Sequence, residues 1–344
     1  RLVNLSVEML VASVRAGLIR WTTVHPFAYQ IASSVPDAVG RLARAGSAAL
    51  GGGTDLLVLI KEGLEAPDVL VDLRHIPGGH EITATDDGGL RIGGAVRVAQ
   101  LAADPRVVRA WPVLAQACES VGTPALRNMG TIAGNLCQRP RCWYFRRNVP
   151  CHKNGGDTCP ARDGENQYHA IFGGGPCYVV HPSDPAVALA ALEARVEIQG
   201  PDGARMVSVE DLFVLPRDRL DRETTLARGE VISAVVLPAV SAGGWQRYTK
   251  VMQRDAWDFA LVSLAAVKRT DGEVRLVLGG VAPKPWRVYG SVEEDAAVGG
   301  LDESDVATLA DRALYDAEPL ALNGYKVTLA ATLLRRAIRE IGTS

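Results

Sequence analysis

The chain has 344 residues, of which 47% are hydrophobic and 22% charged, so it is long enough for two or three domains with buried cores. Its formal net charge is -2, and its lysines and arginines are scattered. This pattern excludes the basic footprint of a protein that binds nucleic acid or an anionic membrane. No run reaches the ~18 uncharged apolar residues that a membrane span requires.

The first predicted unit is a small α/β structure over residues 24–80. Residues 1–23 have the pattern of neither a signal peptide nor a membrane span and are expected to form an N-terminal extension. An amphipathic helix is predicted over 35–49, starting at Ser34-Val35-Pro36-Asp37. The other predicted elements near this unit are, in order, a strand over 48–50, a glycine run over 51–55, a helix over 56–61 and strands over 69–73 and 90–94.

Two further units are predicted, over 81–240 and 241–344, and a segment over 137–177 interrupts the first of them. That segment has almost no periodicity, and a loop of this length is expected to need a bound metal group for its order. The predicted helices are 97–101, 111–120, 186–192, 304–315 and 324–341, and the predicted strands are 194–199, 205–208, 246–251, 260–268 and 274–281.

Two short loops of small residues have the composition of phosphate-binding loops. The run Gly51-Gly52-Gly53-Thr54-Asp55 lies between a predicted strand and a helix, where backbone N–H groups and the helix end favour an anion. Thr131-Ile132-Ala133-Gly134-Asn135 combines a hydroxyl, a tight turn and a side-chain amide. Each loop alone is equally consistent with an ordinary turn. Together they predict one large cofactor that both loops bind.

The cysteines indicate a metal site. Five of the six cysteines lie between Cys137 and Cys177, a distribution that favours metal binding in a reducing compartment over a secreted disulfide scaffold. The spacing lacks the close CxxC pairs of common zinc sites, which favours an iron-sulfur cluster and leaves zinc as the alternative. Cys137 is interpreted as lining the cofactor loop and Cys118 as a small buried hydrophobe.

Two further positions carry polar groups with competing explanations. The run His181-Pro182-Ser183-Asp184 precedes an apolar helix, so Ser183 or Asp184 either contacts a ligand or caps that helix. Lys250 either places positive charge near a cofactor or is simply an exposed side chain on a solvated strand. No arrangement of residues typical of a nucleophilic hydrolase is present in the sequence.

Four motifs in a fixed order resemble one family. They are Pro26-Phe27-x-Tyr29, Gly51 to Leu56, Arg127-Asn128-x-Gly130 to Asn135, and His181 to Asp184. The chain resembles the FAD-binding medium subunit of molybdenum hydroxylases over residues 24 to 340, with Ala133 in place of a glycine. The resemblance implies an α+β fold: two FAD-binding subdomains of the vanillyl-alcohol-oxidase-like (PCMH) type and a C-terminal α/β domain of the CO dehydrogenase flavoprotein type.

The resemblance also implies the residues of two cofactor sites. The expected FAD contacts are Leu50, Gly51, Gly52, Gly53, Thr54, Asp55, Leu56, Thr131, Gly134, Asn135, Asp184 and Lys250. The cysteine segment is similar to the insert of family members that carry a [4Fe-4S] cluster. By that resemblance its ligands are Cys142, Cys151, Cys159 and Cys177, and Cys137 is not a ligand.

The implied function is electron transfer within a heterotrimer. A large subunit would bind the molybdenum cofactor, a small subunit would carry [2Fe-2S] clusters, and this chain would pass electrons through FAD to an external acceptor, as in aldehyde oxidoreductases or xanthine dehydrogenases. The alternatives are a subunit like that of 4-hydroxybenzoyl-CoA reductase, a self-sufficient flavin oxidase and a zinc-stabilised structural subunit. A cytoplasmic location is expected, with export alongside a partner subunit as the alternative.

Overall fold

The computed structural model describes residues 24–254, 257–288 and 290–343, so the expected N-terminal extension lies outside the described residues. The strands are β1 (Ala28–Ile31), β2 (Ser47–Leu50), β3 (Val69–Asp72), β4 (Ile82–Ala84), β5 (Leu90–Gly93), β6 (Arg195–Gly200), β7 (Gly203–Ser208), β8 (Val231–Leu237), β9 (Trp245–Val251), β10 (Val262–Lys268), β11 (Val274–Gly279) and β12 (Trp286–Arg287). Among these residues, no helix has the length and apolar character needed to cross a membrane.

The helices lie between and beside these strands. They are α1 (Val35–Leu42), α2 (Leu56–Lys61), α3 (Val98–Ala103), α4 (Pro105–Ala110), α5 (Pro112–Glu119), α6 (Pro124–Met129), α7 (Ile132–Leu136), α8 (Trp143–Arg146), α9 (Asp184–Ala191), α10 (Val209–Leu212), α11 (Ser291–Val298), α12 (Glu303–Ala313) and α13 (Tyr325–Gly342).

The first sheet is parallel, with the strand order β1-β3-β2. Helix α1 begins as predicted, because the Ser34 side chain accepts a hydrogen bond from the backbone N–H of Asp37. The prediction that this helix continues to residue 49 is wrong, since it ends at Leu42. Gly46, in the turn that follows, adopts a positive φ of 73°, and the chain then enters β2 at Ser47. The edge of this sheet where β2 ends carries the first glycine loop.

The second sheet is antiparallel, with the order β4-β5-β8-β6-β7. Helices α3, α4, α5, α7 and α9 bury apolar side chains with this sheet in one large core, which includes Leu101, Leu114, Leu136 and Leu189. Helix α9 is buried along its whole length, as expected for a helix that is apolar on every side. This core holds α7 and α9 side by side, and both helices begin at motifs of the predicted FAD site.

The third sheet is antiparallel, with the order β12-β11-β10-β9. One face packs on α11, α12 and α13 around residues such as Leu276 and Leu334. The other face joins the core of the second sheet through Ala265 and Val277. Because β10 and β11 are buried on both faces, they are apolar at nearly every position rather than alternating.

The cysteine segment 137–177 contains little regular structure beyond α8, in agreement with its lack of periodicity. Its residues 166–168 are attached to the first turn of α13 and to the turn before that helix. Leu322 N donates to Asn166 Oδ1 at 2.9 Å, and Lys326 Nζ donates to the Tyr168 carbonyl at 3.0 Å. Lys326 is only 1% exposed, so the C-terminal domain holds this part of the segment through a buried side chain.

Candidate functional site: a line of cavities between two glycine loops and a cysteine cluster

The two glycine loops pack directly on one another. A Cβ atom added to Gly52 would lie 1.9 Å from the backbone oxygen of Met129, and one added to Gly51 would lie 2.7 Å from Thr131 Oγ1. Neither position has room for a side chain. The first loop follows β2 and precedes α2, and the second lies between the end of α6 and the start of α7, so the N-termini of α2 and α7 are both near this contact.

Side-chain hydrogen bonds connect the second loop to the motif before α9. Thr131 caps α7, because its Oγ1 accepts from the backbone N–H of Gly134 at 3.2 Å. Ser183 donates to Asn135 Oδ1 at 2.5 Å and accepts from the N–H of Ala186 at 3.0 Å, so Ser183 is the helix cap and Asp184 is free for another role. The predicted motifs are therefore neighbours in space.

Cavities lie on both sides of the two glycine loops. On one side, cavities of about 130 and 360 Å3 share Arg74, Ile76 and Thr131. On the other side, cavities of about 90 and 310 Å3 share Arg141, Asp184 and other residues. A dinucleotide is elongated and needs small-residue loops at its diphosphate with a pocket at each end. The geometry fits FAD, with the loops in the middle and a cavity for each end of the molecule.

The 310 Å3 cavity has the lining expected for an aromatic ring with polar edges. Trp143, Tyr168 and Phe259 supply apolar surface, and Asp184 and His181 supply polar groups. His181 is 5% exposed, and neither of its ring nitrogens has a hydrogen-bond partner among the described residues. Unpaired buried polar atoms are costly, so this ring is suited to a bound polar ligand.

The buried His181 ring is expected to make the protein less stable in acid. Burial lowers its pKa from 6.5 to about 3, and the charge of Arg141 acts in the same direction. Between these two values the unfolded chain binds more protons than the folded chain, so stability falls as pH falls. We expect His181→Leu to reduce the drop in thermal unfolding midpoint between about pH 7 and about pH 5. An unchanged drop would contradict this assignment.

Lys250 and Asp184 form a buried ion pair. Lys250 Nζ lies 2.9 Å from Asp184 Oδ2 and also donates to the Ser120 carbonyl at 3.0 Å. Tyr248 donates to Asp184 Oδ1 at 2.7 Å. Burial raises the pKa of Asp184, and the Lys250 charge opposes that shift. Asp184 lines two of the cavities, whereas Lys250 lies behind it and acts by neutralising its charge.

Asp55 joins the first glycine loop to the cysteine segment. Its carboxylate accepts from the backbone N–H of Arg139 at 2.7 Å and from the side chains of Arg141 and Arg146 at 2.7 and 2.8 Å. The side chain is 14% exposed. Its carboxylate is thus occupied by three donors, and a contact between Asp55 and FAD would have to use its backbone.

Removing the charge of Asp55 is expected to weaken the fold. Asp55→Asn removes the negative charge that Arg141 and Arg146 share, and leaving such largely buried cations unpaired costs about 3 kcal/mol. The matched control is Asp311→Asn, because Asp311 is 70% exposed in its pair with Arg335 and should lose less than about 1 kcal/mol. Urea unfolding measures the loss in free energy of unfolding for each variant. Equal losses would show that the Asp55 network stabilises the fold no more than an exposed ion pair does.

The four predicted ligand cysteines line one small cavity, although they span 36 positions in sequence. Backbone N–H groups donate to the sulfurs of Cys142, Cys159 and Cys177. A hydrogen bond with the Cys177 side chain, together with amides such as that of Tyr178, lowers the pKa of Cys159 to about 6. The same side-chain hydrogen bond and burial raise the pKa of Cys177. Burial raises the pKa of Cys142 to about 11, opposed by the amides of Phe145 and Tyr144. Amide hydrogen bonds to sulfur are typical of iron-sulfur sites.

The remaining two cysteines lie away from this cavity. Cys137 lines the 130 Å3 cavity beside the glycine loops, and burial raises its pKa to about 12. Cys118 is fully buried in the core on α5. Within the described ranges, no three His, Cys, Asp or Glu side chains are grouped closely enough to hold a single metal ion.

Sequence reasoning missed several residues that line the site. Arg74 borders both cavities beyond the glycine loops and is held by an ion pair to the buried Asp72 at 2.8 Å. His169 lines both the cysteine cavity and the 310 Å3 cavity. A histidine inside a cysteine-rich segment was the available signal for His169, whereas nothing in the local sequence distinguishes Arg74 from a surface arginine.

Comparison with known families identifies the class of protein. Residues 25–240 match the family described as the FAD binding domain in molybdopterin dehydrogenase, and residues 247–341 match the CO dehydrogenase flavoprotein C-terminal domain. The chain belongs to the FAD-binding medium subunits of molybdenum hydroxylases. FAD binding and the α+β fold class are thereby confirmed.

Individual proteins of this class are similar to the chain over most of its length. The chain is 42% identical to the aldehyde oxidoreductase FAD-binding subunit PaoB of Escherichia coli (strain K12), covering 86% of this chain and 91% of that protein. It is 28% identical to the carbon monoxide dehydrogenase medium chain of Hydrogenophaga pseudoflava, covering 91% and 96%. A solved carbon monoxide dehydrogenase from the same organism superposes with a TM-score of 0.70, at 25% identity and 92% and 97% coverage.

Proposed function

We propose that this chain is the electron-transfer subunit of a heterotrimeric molybdenum hydroxylase, and that it carries a [4Fe-4S] cluster in addition to FAD. Its partners would be a large subunit with the molybdenum cofactor and a small subunit with [2Fe-2S] clusters. The observation that carries the proposal is the adjacency of two cavities. The cavity lined by four cysteines and the 310 Å3 cavity beside the glycine loops share Cys142 and His169.

We assign the cofactor contacts on the same basis. The glycine loops and Asn135 would hold the diphosphate region of FAD, and the 310 Å3 cavity would take the flavin ring. Cys142, Cys151, Cys159 and Cys177 would hold the cluster. The domain boundaries near residues 80 and 240 belong to this proposal. FAD, when bound, supplies the exchange between two-electron and one-electron chemistry, while the residues here bind and orient it and exclude water.

Relatives favour an aldehyde-oxidising complex over the other members of the class. The relative at 42% identity is named for aldehyde oxidoreductase, whereas those named for xanthine dehydrogenase and carbon monoxide dehydrogenase are 26% and 28% identical. The runner-up is a medium subunit like that of 4-hydroxybenzoyl-CoA reductase. A self-sufficient flavin oxidase is a further alternative.

A reductive titration with dithionite tests the proposal. The purified chain should accept about three electrons, about two for the flavin and about one for the cluster. Uptake of about two electrons by a chain that contains no iron would exclude the cluster. Addition of an aldehyde to the chain alone should leave the flavin absorbance unchanged, because the oxidation of substrate belongs to the molybdenum subunit. Bleaching by aldehyde alone would instead support the self-sufficient oxidase.

A further inference from the structure

The ring of His169 lies between the cysteine cavity and the cavity proposed for the flavin. Its Nε2 atom is 3.2 Å from Cys142 Sγ. The residue is 3% exposed and lines both cavities. Cys142, the residue it contacts, is also shared by the two cavities. A polar contact to this sulfur is therefore made at the junction of the two sites.

The surrounding structure fixes the orientation of the His169 ring. Its backbone N–H donates to the Asn166 carbonyl at 2.9 Å, and its carbonyl accepts from Asn323 Nδ2 at 3.1 Å. The rings of Trp143 and Tyr144 lie 6.3 and 6.2 Å away between centroids. Both the main chain and the ring are thus held, and Nε2 is kept pointing at Cys142.

The chemistry of the Cys142 sulfur determines which ring nitrogen of His169 carries the proton. A cysteine that ligates iron is a thiolate, which has no hydrogen and can only accept. A contact between Nε2 and that sulfur is then a hydrogen bond in which His169 donates. His169 Nδ1 has no partner among the described residues, so no competing acceptor draws the proton to the other nitrogen.

We propose that His169 is a positioning residue that sets the reduction potential of the cluster by donating a hydrogen bond to Cys142. This inference rests on the proposed [4Fe-4S] site. Hydrogen bonds to cluster sulfurs stabilise the more negative, reduced state and so raise the potential. The bond lies at the junction of the two cavities, on the side of the cluster site that borders the cavity proposed for the flavin.

The test compares variants with and without the donor. His169→Phe and His169→Leu remove the N–H group, and His169→Gln keeps one on a chain of similar reach. The control is His152→Phe, because His152 lines the same cysteine cavity but, among the described residues, makes no hydrogen bond to a cysteine. The measurement is the midpoint potential of the cluster, followed by EPR in a redox titration, with iron and flavin content determined for each preparation.

We expect the two donor-less variants to retain iron and flavin and to show a lower midpoint potential and altered EPR g-values. His169→Gln should have a midpoint potential closer to the wild-type value. The His152→Phe control should have the wild-type midpoint potential. An unchanged potential in iron-loaded His169→Phe and His169→Leu would overturn the inference, and so would the loss of iron from both. A wild-type protein without iron would instead overturn the proposed function, so the two failures are distinguishable.

Discussion

Gly52→Ala is expected to abolish the retention of FAD. The new Cβ atom would lie 1.9 Å from the Met129 oxygen and 2.9 Å from Gly130 Cα, and both of these are backbone atoms. Backbone cannot move aside as the end of a flexible side chain can, so the two loops must separate. Separation would displace the glycine loops that are proposed to hold the diphosphate region of FAD. Flavin absorbance after gel filtration, relative to protein concentration, measures the effect.

Gly40→Ala is the matched control for this substitution. Gly40 lies in α1, and a Cβ atom there has no neighbour within 4 Å. Alanine is favoured over glycine in a helix by up to about 1 kcal/mol, so this variant should fold and keep its flavin. Full flavin occupancy in Gly52→Ala would mean that the contact between the loops does not form part of the FAD site.

Cys151→Ser is expected to remove most of the iron and to loosen the cysteine segment. Cys151 is 7% exposed and lines the cavity with the other three proposed ligands. A segment with so little regular structure is expected to depend on the proposed cluster for its order, so loss of that cluster should expose residues 137–177 to protease. FAD should be partly retained, because the glycine loops do not line the cysteine cavity.

The control for this ligand assignment is Cys137→Ser. Cys137 belongs to the same sequence segment but borders the cavity beside the glycine loops. Iron analysis and limited proteolysis of the two variants should separate them, with iron lost from Cys151→Ser and kept in Cys137→Ser. The reverse pattern, or equal iron in both, would show that the ligand set is wrong.

The sequence predicted those parts of the fold whose signals are local. Helix α2 occupies the predicted residues 56–61, and the glycine run lies between β2 and α2 as expected. Strands β1 and β8 were not predicted. The exposed edge strand β1 shows no apolar alternation, and β8 is buried at most positions on both faces, so neither has the alternation of a half-buried strand.

The site was predictable in its motifs but not in its tertiary contacts. Ser183 and Thr131 act as helix caps, a role that residue type and position indicate. The attachment of Asp55 to Arg141 joins residues 86 positions apart, and the contact of His169 with Cys142 joins residues 27 apart. Such contacts depend on how the chain folds back on itself, which no local pattern encodes.

The composition of the purified wild-type chain tests the central claim most directly. A visible spectrum would be recorded together with iron, sulfide, zinc and flavin analysis of the same sample. The account predicts about one FAD, about four iron and about four sulfide per chain, with flavin and iron-sulfur absorption in one spectrum. Flavin accompanied by zinc, or by no metal at all, would contradict the account.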